Sequence, residues 1–170
     1  EKIEITENLL NNLNIIKDGR ITLGGLLFFA KHPQKYRPAF CVKAISFFGN
    51  SIGGTDYRSS KDIEGTIPEM FEETMSFFTS NLNHIQDGQN FNKVGKLEIA
   101  QTALEELLQN ALVHRDYSKN SPVRVMIFDN RIEIVSPGAL PNSLTIENLK
   151  MGNAVVRNNL LVTYCSEMMI

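Results

Sequence analysis

Cysteine is scarce in this chain of 170 residues: only Cys41 and Cys165 occur, far apart and in no metal-ligand spacing. Two buried thiols in a reducing, cytoplasmic setting are the expected state, in preference to a disulfide. Long apolar runs are missing as well. The longest candidate, "LGGLLFFA", falls well short of the roughly 18 residues a membrane span needs. The charged opening "EKIEITENLL" is not the pattern expected of a secretory leader. Positive charge is not in excess: the net charge is −2 and the pI near 6.0, which argues against a broad nucleic-acid-binding surface. The three histidines, His32, His84 and His114, have no metal spacing. "GGLLFF" lacks the Lys and Ser/Thr of a phosphate loop. Ser136 and Ser143 sit in no nucleophile elbow, and no repeat or low-complexity tract occurs.

What remains is an ordinary globular composition, 42% hydrophobic and 21% charged, long enough to bury a real core as one domain or two small ones. The first residue is Glu, and "VTYCSEMMI" stops without a polar tail. Both ends read as cuts, so the chain is expected to be a piece of a longer protein.

Apolar residues at 9, 10, 13 and 16 space a first helix with Thr6 as N-cap. "KDGR" is a turn. A second helix runs from a Thr22 cap towards Pro33, and Gly24 and Gly25 in its first turn imply close approach to another backbone. "AFCVKAISFFG" (39–49) reads as a buried strand, "NSIGGTDYRSS" as a flexible loop and "KDIEG" as a short edge strand. A helix opened by Thr66, with Pro68 in its first turn, places Met70, Phe71, Met75 and Phe78 on an apolar stripe. Phe47, Phe48, Phe77 and Phe78 are expected in the core. Residues 84–96 form the candidate boundary, a loop with at most one short strand, dividing an N-terminal α/β segment (1–90) from a second segment (91–170).

The strongest helix signal follows. Ala100, Ala103, Leu104, Leu107, Leu108, Ala111 and Leu112 recur at helical spacing. "PVRVMIFDNRIEIVSPG" alternates on either side of Asp129-Asn130, which predicts a β-hairpin. A short helix capped by Thr145 and a last helix over "RNNLLVTYCSEMM" complete the chain. The fold class is α/β (α+β), with helices packed on one face of a mixed, mostly antiparallel sheet.

Within "EELLQNALVHRDY", Glu106 and Asn110 lie four apart and share a helix face opposite the Leu104, Leu108 and Ala111 side. A carboxylate there can orient water for attack on a terminal phosphate, and an Asn carbonyl can hold Mg²⁺. A solvated helix face is the plain alternative. His114-Arg115-Asp116 has the first residues of a kinase catalytic loop, but Tyr117 follows where Leu is needed and position 121 is Ser. A structural role at the helix end is expected instead, with cationic His114 and Arg115 at its negative pole.

Three stretches, "ALEELLQNALVHRDYS", "SPVRVMIFDNRIEIVSPGALP" and "LTIENLKMGNAVVRNNLL", carry a family resemblance. The chain resembles the divergent C-terminal ATPase-like domain of bacterial transcriptional regulators. That domain is related to the GHKL-type ATP-binding fold of gyrase, the mismatch-repair ATPase and histidine kinases. "ITLGGLLFFAKHPQKYRPAF" and "DIEGTIPEMFEETMSFF" are similar to the segment preceding it in that family.

The resemblance implies an ATPase-like sandwich in the C-terminal half, truncated before the glycine-rich lid. Glu106 takes the place of the water-activating base and Asn110 that of the Mg²⁺ ligand. His114, Arg115, Asp116, Ser136 and Gly138 line the nucleotide cleft. The adenine-reading Asp of the second motif is here Ser136, and its next glycine position is Leu140. Implied cofactors are ATP or ADP with Mg²⁺, or none if the cleft has degenerated. DNA contact is expected only through an AlbA/Schlafen-like module upstream, and a homo-oligomer is expected. The function these features imply is a regulatory or association domain that senses a nucleotide and is catalytically inert by itself. The alternatives are an Mg²⁺-dependent ATPase in the full-length protein, or a purely structural dimerisation module.

Overall fold

Among the described residues, threonine side chains start four of the helices. The computed structural model describes residues 4–53, 55–86, 95–140, 144–152 and 155–168. Helix α1 (Glu7–Asn12) opens with the Thr6 hydroxyl accepting from the Leu9 amide at 3.2 Å. It stops earlier than the apolar spacing predicts. Ile16 belongs instead to a two-residue strand β1 (Ile16–Lys17), paired with β2 (Arg20–Ile21) across a turn in which Asp18 and Gly19 both take positive φ, 51° and 69°. That turn type matches strand twist and overrides the weak helical period.

Helix α2 (Leu23–Phe29) is capped by Thr22, which accepts from the Gly25 amide at 2.9 Å. A Cβ on Gly25 would lie 2.2 Å from the Ile15 carbonyl oxygen, the close backbone approach the glycine pair implies. Gly24 faces a side chain instead, with Leu160 2.7 Å from where its Cβ would stand.

β3 (Val42–Phe47) and β4 (Tyr57–Ile63) pair antiparallel. Two expectations change here. β3 is not buried along its length: Val42, Ala44 and Ser46 point into the core while Lys43 is exposed and bridges Asp62 at 2.9 Å. Helices cover one face of the sheet only, so alternation replaces the continuous apolar pattern of a doubly covered strand. β4 also takes in Tyr57–Ser60, which read as loop. It is an edge strand exposed along most of its length, so few of its side chains carry a burial signal.

α3 (Ile67–Asn81) has a complete capping box. Thr66 accepts from the Glu69 amide, and the Glu69 carboxylate accepts from the Thr66 amide at 2.7 Å. Its buried face is Ile67, Met70, Thr74, Phe77 and Phe78, whereas Phe71 and Met75 are only partly covered. Thr74 is tolerated there because its hydroxyl donates to the Met70 carbonyl at 2.6 Å. Of the four phenylalanines assigned to the core, Phe77 and Phe78 lie within it, and Phe47 is half-buried and stacked on Phe128. Phe48 is 57% exposed and sits beneath Arg58.

The candidate boundary holds a strand pair, β5 (His84–Ile85) with β6 (Lys96–Leu97); residues 87–94 lie outside the described part. α4 (Gln101–Val113) buries Leu104, Leu108, Ala111 and Leu112. Leu107 is 56% exposed and Ala103 is exposed, so the apolar stripe is narrower than its spacing predicts. β7 (Val123–Ile127) and β8 (Ile132–Val135) form the expected hairpin. α5 (Ile146–Lys150) is capped by Thr145, and α6 (Asn159–Met168) begins two residues later than the pattern, leaving Arg157 and Asn158 outside it.

The main sheet runs β4-β3-β7-β8, with β3 and β7 parallel at its centre and antiparallel pairs on both flanks. A parallel pair needs a long crossover, and β4, α3 and α4 fill it. Residues before and after 90 therefore contribute two strands each to one sheet and share one core. Val42, Ala44, Val123 and Val125 of the sheet pack with Leu104 and Leu108 of α4, Ile67 and Phe78 of α3, and Leu161 and Tyr164 of α6. Each such large apolar side chain contributes about 1.5–3 kcal/mol on burial. Cys41 and Cys165 are both free and buried. Among the described residues no helix is long and apolar enough to cross a membrane.

A candidate nucleotide cleft at the end of helix α4

A helix leaves its last carbonyls without intrahelical donors, and buried ones must find partners elsewhere. At the end of α4 the partners come from two distant segments and from the turn that follows the helix. Ser136 donates to the Ala111 carbonyl at 2.7 Å, and the Tyr117 hydroxyl to Leu112 at 2.9 Å. The Asn158 amide donates to Val113 at 2.7 Å and to Arg115 at 2.9 Å. Arg157 donates to the His114 carbonyl at 3.2 Å and also to that of Ala139. The strand-to-loop exit at Ser136 and the stretch before α6 are thereby locked onto the helix end.

The three residues after Val113 divide their work. His114 is half-buried, and its pKa is held below the usual 6.5, by burial first and by the Arg157 charge second. It is neutral near pH 7, so the cation at the helix's negative pole is Arg157, not His114 as the sequence pattern predicts. Arg115 does not face that pole either. It is 2% exposed, wedged against the rings of Phe40 and Tyr117, with its Cζ 4.4 and 4.7 Å from their centroids. One of its terminal nitrogens donates to the carbonyls of Ala39, Lys119 and Ser121.

Asp116 closes a local turn, its carboxylate accepting from the Ser118 hydroxyl at 2.6 Å and the Ser118 amide at 3.0 Å. Those bonds, the hydroxyl first, pull its pKa below the usual carboxylate value. Its own amide donates to the Pro137 carbonyl at 2.8 Å, which ties the turn to Ser136-Pro137-Gly138. Gly138 has φ +118°, and a Cβ there would meet Arg157 at 2.5 Å and Asp116 at 2.6 Å. Only glycine fits the junction.

The structure thus gathers His114, Arg115, Asp116, Ser136 and Gly138 at one end of α4. Glu106 and Asn110 lie upstream on the exposed face of the same helix. Asn110 is within a turn of the Ser136 contact at Ala111. Neither the Glu106 nor the Asn110 side chain has a hydrogen-bond or ion-pair partner among the described residues, and neither lines the two cavities that adjoin the turn after α4.

Beside the junction opens a cavity of about 460 Å³, lined by Asp116, Lys119, Ala139, Leu140, Val155, Val156 and Arg157. Charged groups and apolar side chains meet in it, and its volume falls in the roughly 300–1,000 Å³ range of small-molecule sites. Lys119, Arg157 and Asn158 were not singled out from the sequence. The roles of Arg157 and Asn158 arise from contacts across more than 40 residues, which leave no local spacing to read. Among the described residues no group of three or more His, Cys, Asp or Glu could hold a metal ion.

Residues 120–170, from β7 to the end of α6, match the family described as "Putative ATP-dependent DNA helicase recG C-terminal". The match supports an ATPase-like segment there. The match includes Ser136, Gly138 and Arg157 of the junction and leaves Glu106 and Asn110 outside it. No curated protein matches the chain. Among solved structures, the DIP2311 protein from Corynebacterium diphtheriae superposes with a TM-score of 0.67 at 21% identity, over 96% of this chain and 32% of that one. The likeness shows a shared fold. The chain spans about a third of that protein's length.

Proposed function

We propose that this chain is a regulatory or association domain of a bacterial transcriptional regulator, sensing a nucleotide-class ligand at the ATPase-like junction. The observation that carries the reading is the cavity at the α4 terminus. Two cations, Lys119 and Arg157, stand at its wall beside apolar Ala139, Leu140, Val155 and Val156. Cations suit the phosphates and an apolar wall suits a base or ribose.

The residues fit the anionic part of ATP or ADP better than the base. Ser136 already spends its hydroxyl hydrogen on Ala111 and keeps only lone pairs for an adenine amino group. The Asn110 side chain does not line this cavity, so a Mg²⁺ ion carried in with the phosphates would keep phosphate oxygens and water as its ligands. DNA would be contacted by a module outside this chain, consistent with the net charge of −2. A homo-oligomer would suit such a regulator.

Titration calorimetry with ATP and ADP, each with and without Mg²⁺, tests the reading. The expected result is saturable binding that Val156→Trp abolishes by filling the cavity. Silence at millimolar nucleotide, in a folded protein, would leave an association scaffold only.

A second reading, an active ATPase in the full-length protein, draws on the exposed, unpaired face shared by Glu106 and Asn110. A carboxylate free of partners is available to orient water at a terminal phosphate.

A further inference from the structure

A different cavity also adjoins the 116–120 turn. It measures about 490 Å³, and its walls include Tyr36, Arg37, Phe40, Tyr117, Lys119 and Asn120. Its lining carries cations and hydrogen-bonding groups but no carboxylate, whereas the cavity beside Gly138 is lined in part by Asp116.

Its walls are also the residues that hold Arg115. Phe40 and Tyr117 are the two rings against that guanidinium, and Lys119 supplies one of its carbonyls. Arg115 is a buried cation whose Nε and Nη1 have no hydrogen-bond partner, and among the described residues no carboxylate lies within ion-pair distance of it. Neutral carbonyls solvate the charge on one nitrogen without cancelling it. Buried charges in proteins are ordinarily paired. The field of Arg115 therefore adds to those of Arg37 and Lys119 at the cavity wall, where water screens the two exposed cations but not the buried one.

We infer that this cavity is a second ligand site, taking a phosphate-bearing anion between Arg37 and Lys119 with the buried Arg115 charge behind it. Tyr36, which is 64% exposed, stands at the same wall and offers a ring face to a nucleobase. The anion has two sources with the same chemistry, free phosphate or the phosphate of a nucleoside monophosphate. The site shares Lys119 with the junction proposed for nucleotide sensing and differs from it in Arg37 and Tyr36, which do not line that cavity.

The test is amide-resolved NMR titration of the whole chain with inorganic phosphate and with adenosine monophosphate. Saturable shifts are expected around residues 36–40 and 117–121. Arg37→Gln and Lys119→Gln, both at exposed side chains, should each weaken binding about tenfold. Val156→Trp, which fills the neighbouring cavity, should leave this binding intact even if it abolishes nucleotide sensing there. Equal affinity for the two probes identifies a free-anion site. Tighter monophosphate binding that Tyr36→Ala reduces to the phosphate level identifies a nucleotide site. Absence of shifts in that region at 10 mM probe (about 2.7 kcal/mol in binding terms), or shifts that survive Arg37→Gln and Lys119→Gln unchanged, would overturn the inference.

Discussion

The Asn158 side-chain amide donates to the carbonyls of both Val113 and Arg115, at 2.7 and 2.9 Å, and so caps α4 with a residue more than 40 positions away. A helix end buried without such a partner would leave carbonyls unsatisfied. Asn158→Ala should therefore destabilise the fold by about 1–3 kcal/mol. Urea unfolding would show a lower midpoint at unchanged slope. A midpoint identical to that of the parent would mean that water replaces the amide at no cost.

Gly138→Ala should be at least as damaging. The backbone is held at φ +118°, and the added methyl would overlap Arg157 and Asp116. A cost on the order of 1–3 kcal/mol is expected from the backbone conformation. Circular dichroism melting of the variant measures it, and the loss should be accompanied by weaker nucleotide binding at the adjoining cavity.

Glu106→Ala is expected to leave stability within about 0.5 kcal/mol, because the side chain is exposed and unpaired. Phosphate release by the full-length protein then becomes a clean readout. Abolished turnover with retained nucleotide binding would establish Glu106 as the base; equal turnover in variant and parent would remove the ATPase reading.

His114 should titrate below 6.5 in the folded protein, since burial and the nearby Arg157 both disfavour its charged form. The sign follows directly. A depressed folded pKa means the unfolded chain binds the proton more readily, so stability is fully present above 6.5 and is lost as the pH falls through the folded value. Imidazole NMR signals followed against pH measure the shift. Removing the cation by Arg157→Gln should move the midpoint upward but not all the way, because burial remains the larger cause.

Glu69 offers a second acid-sensitive contact. Its carboxylate accepts from the Thr66 amide and hydroxyl, which lowers its pKa from the usual 4.5. The capping box therefore contributes fully above 4.5 and fades as the pH falls through the lowered value. Glu69→Gln should flatten the pH dependence of stability in that acid range; an unchanged profile would show that solvent screening of this exposed group has erased the effect.

Local chemistry was readable from residues alone. Thr6, Thr22, Thr66 and Thr145 each cap the helix their position announces, because a cap depends on atoms within three residues. The Asp18-Gly19 turn and the hairpin around Asp129-Asn130 are legible for the same reason. Burial read from composition failed where a face was left open: Phe48, Leu107 and Lys43 reach solvent although their segments are apolar. The candidate site was legible in part. "HRD" and "SPG" were visible as unusual clusters, but not the fact that Asp116 and Pro137 are bonded to each other.

Amino-acid order by itself determined where helices begin, where the chain turns and which segments alternate, since those outcomes depend on neighbours a few positions away. Only the tertiary structure decided that β3 and β7 run side by side, and that Arg157 replaces His114 as the cation at the end of α4. It also decided that Arg115 is buried with no carboxylate within ion-pair distance among the described residues. Those are outcomes of desolvation and charge pairing between segments far apart in the chain, and their partners exist only once the core has closed.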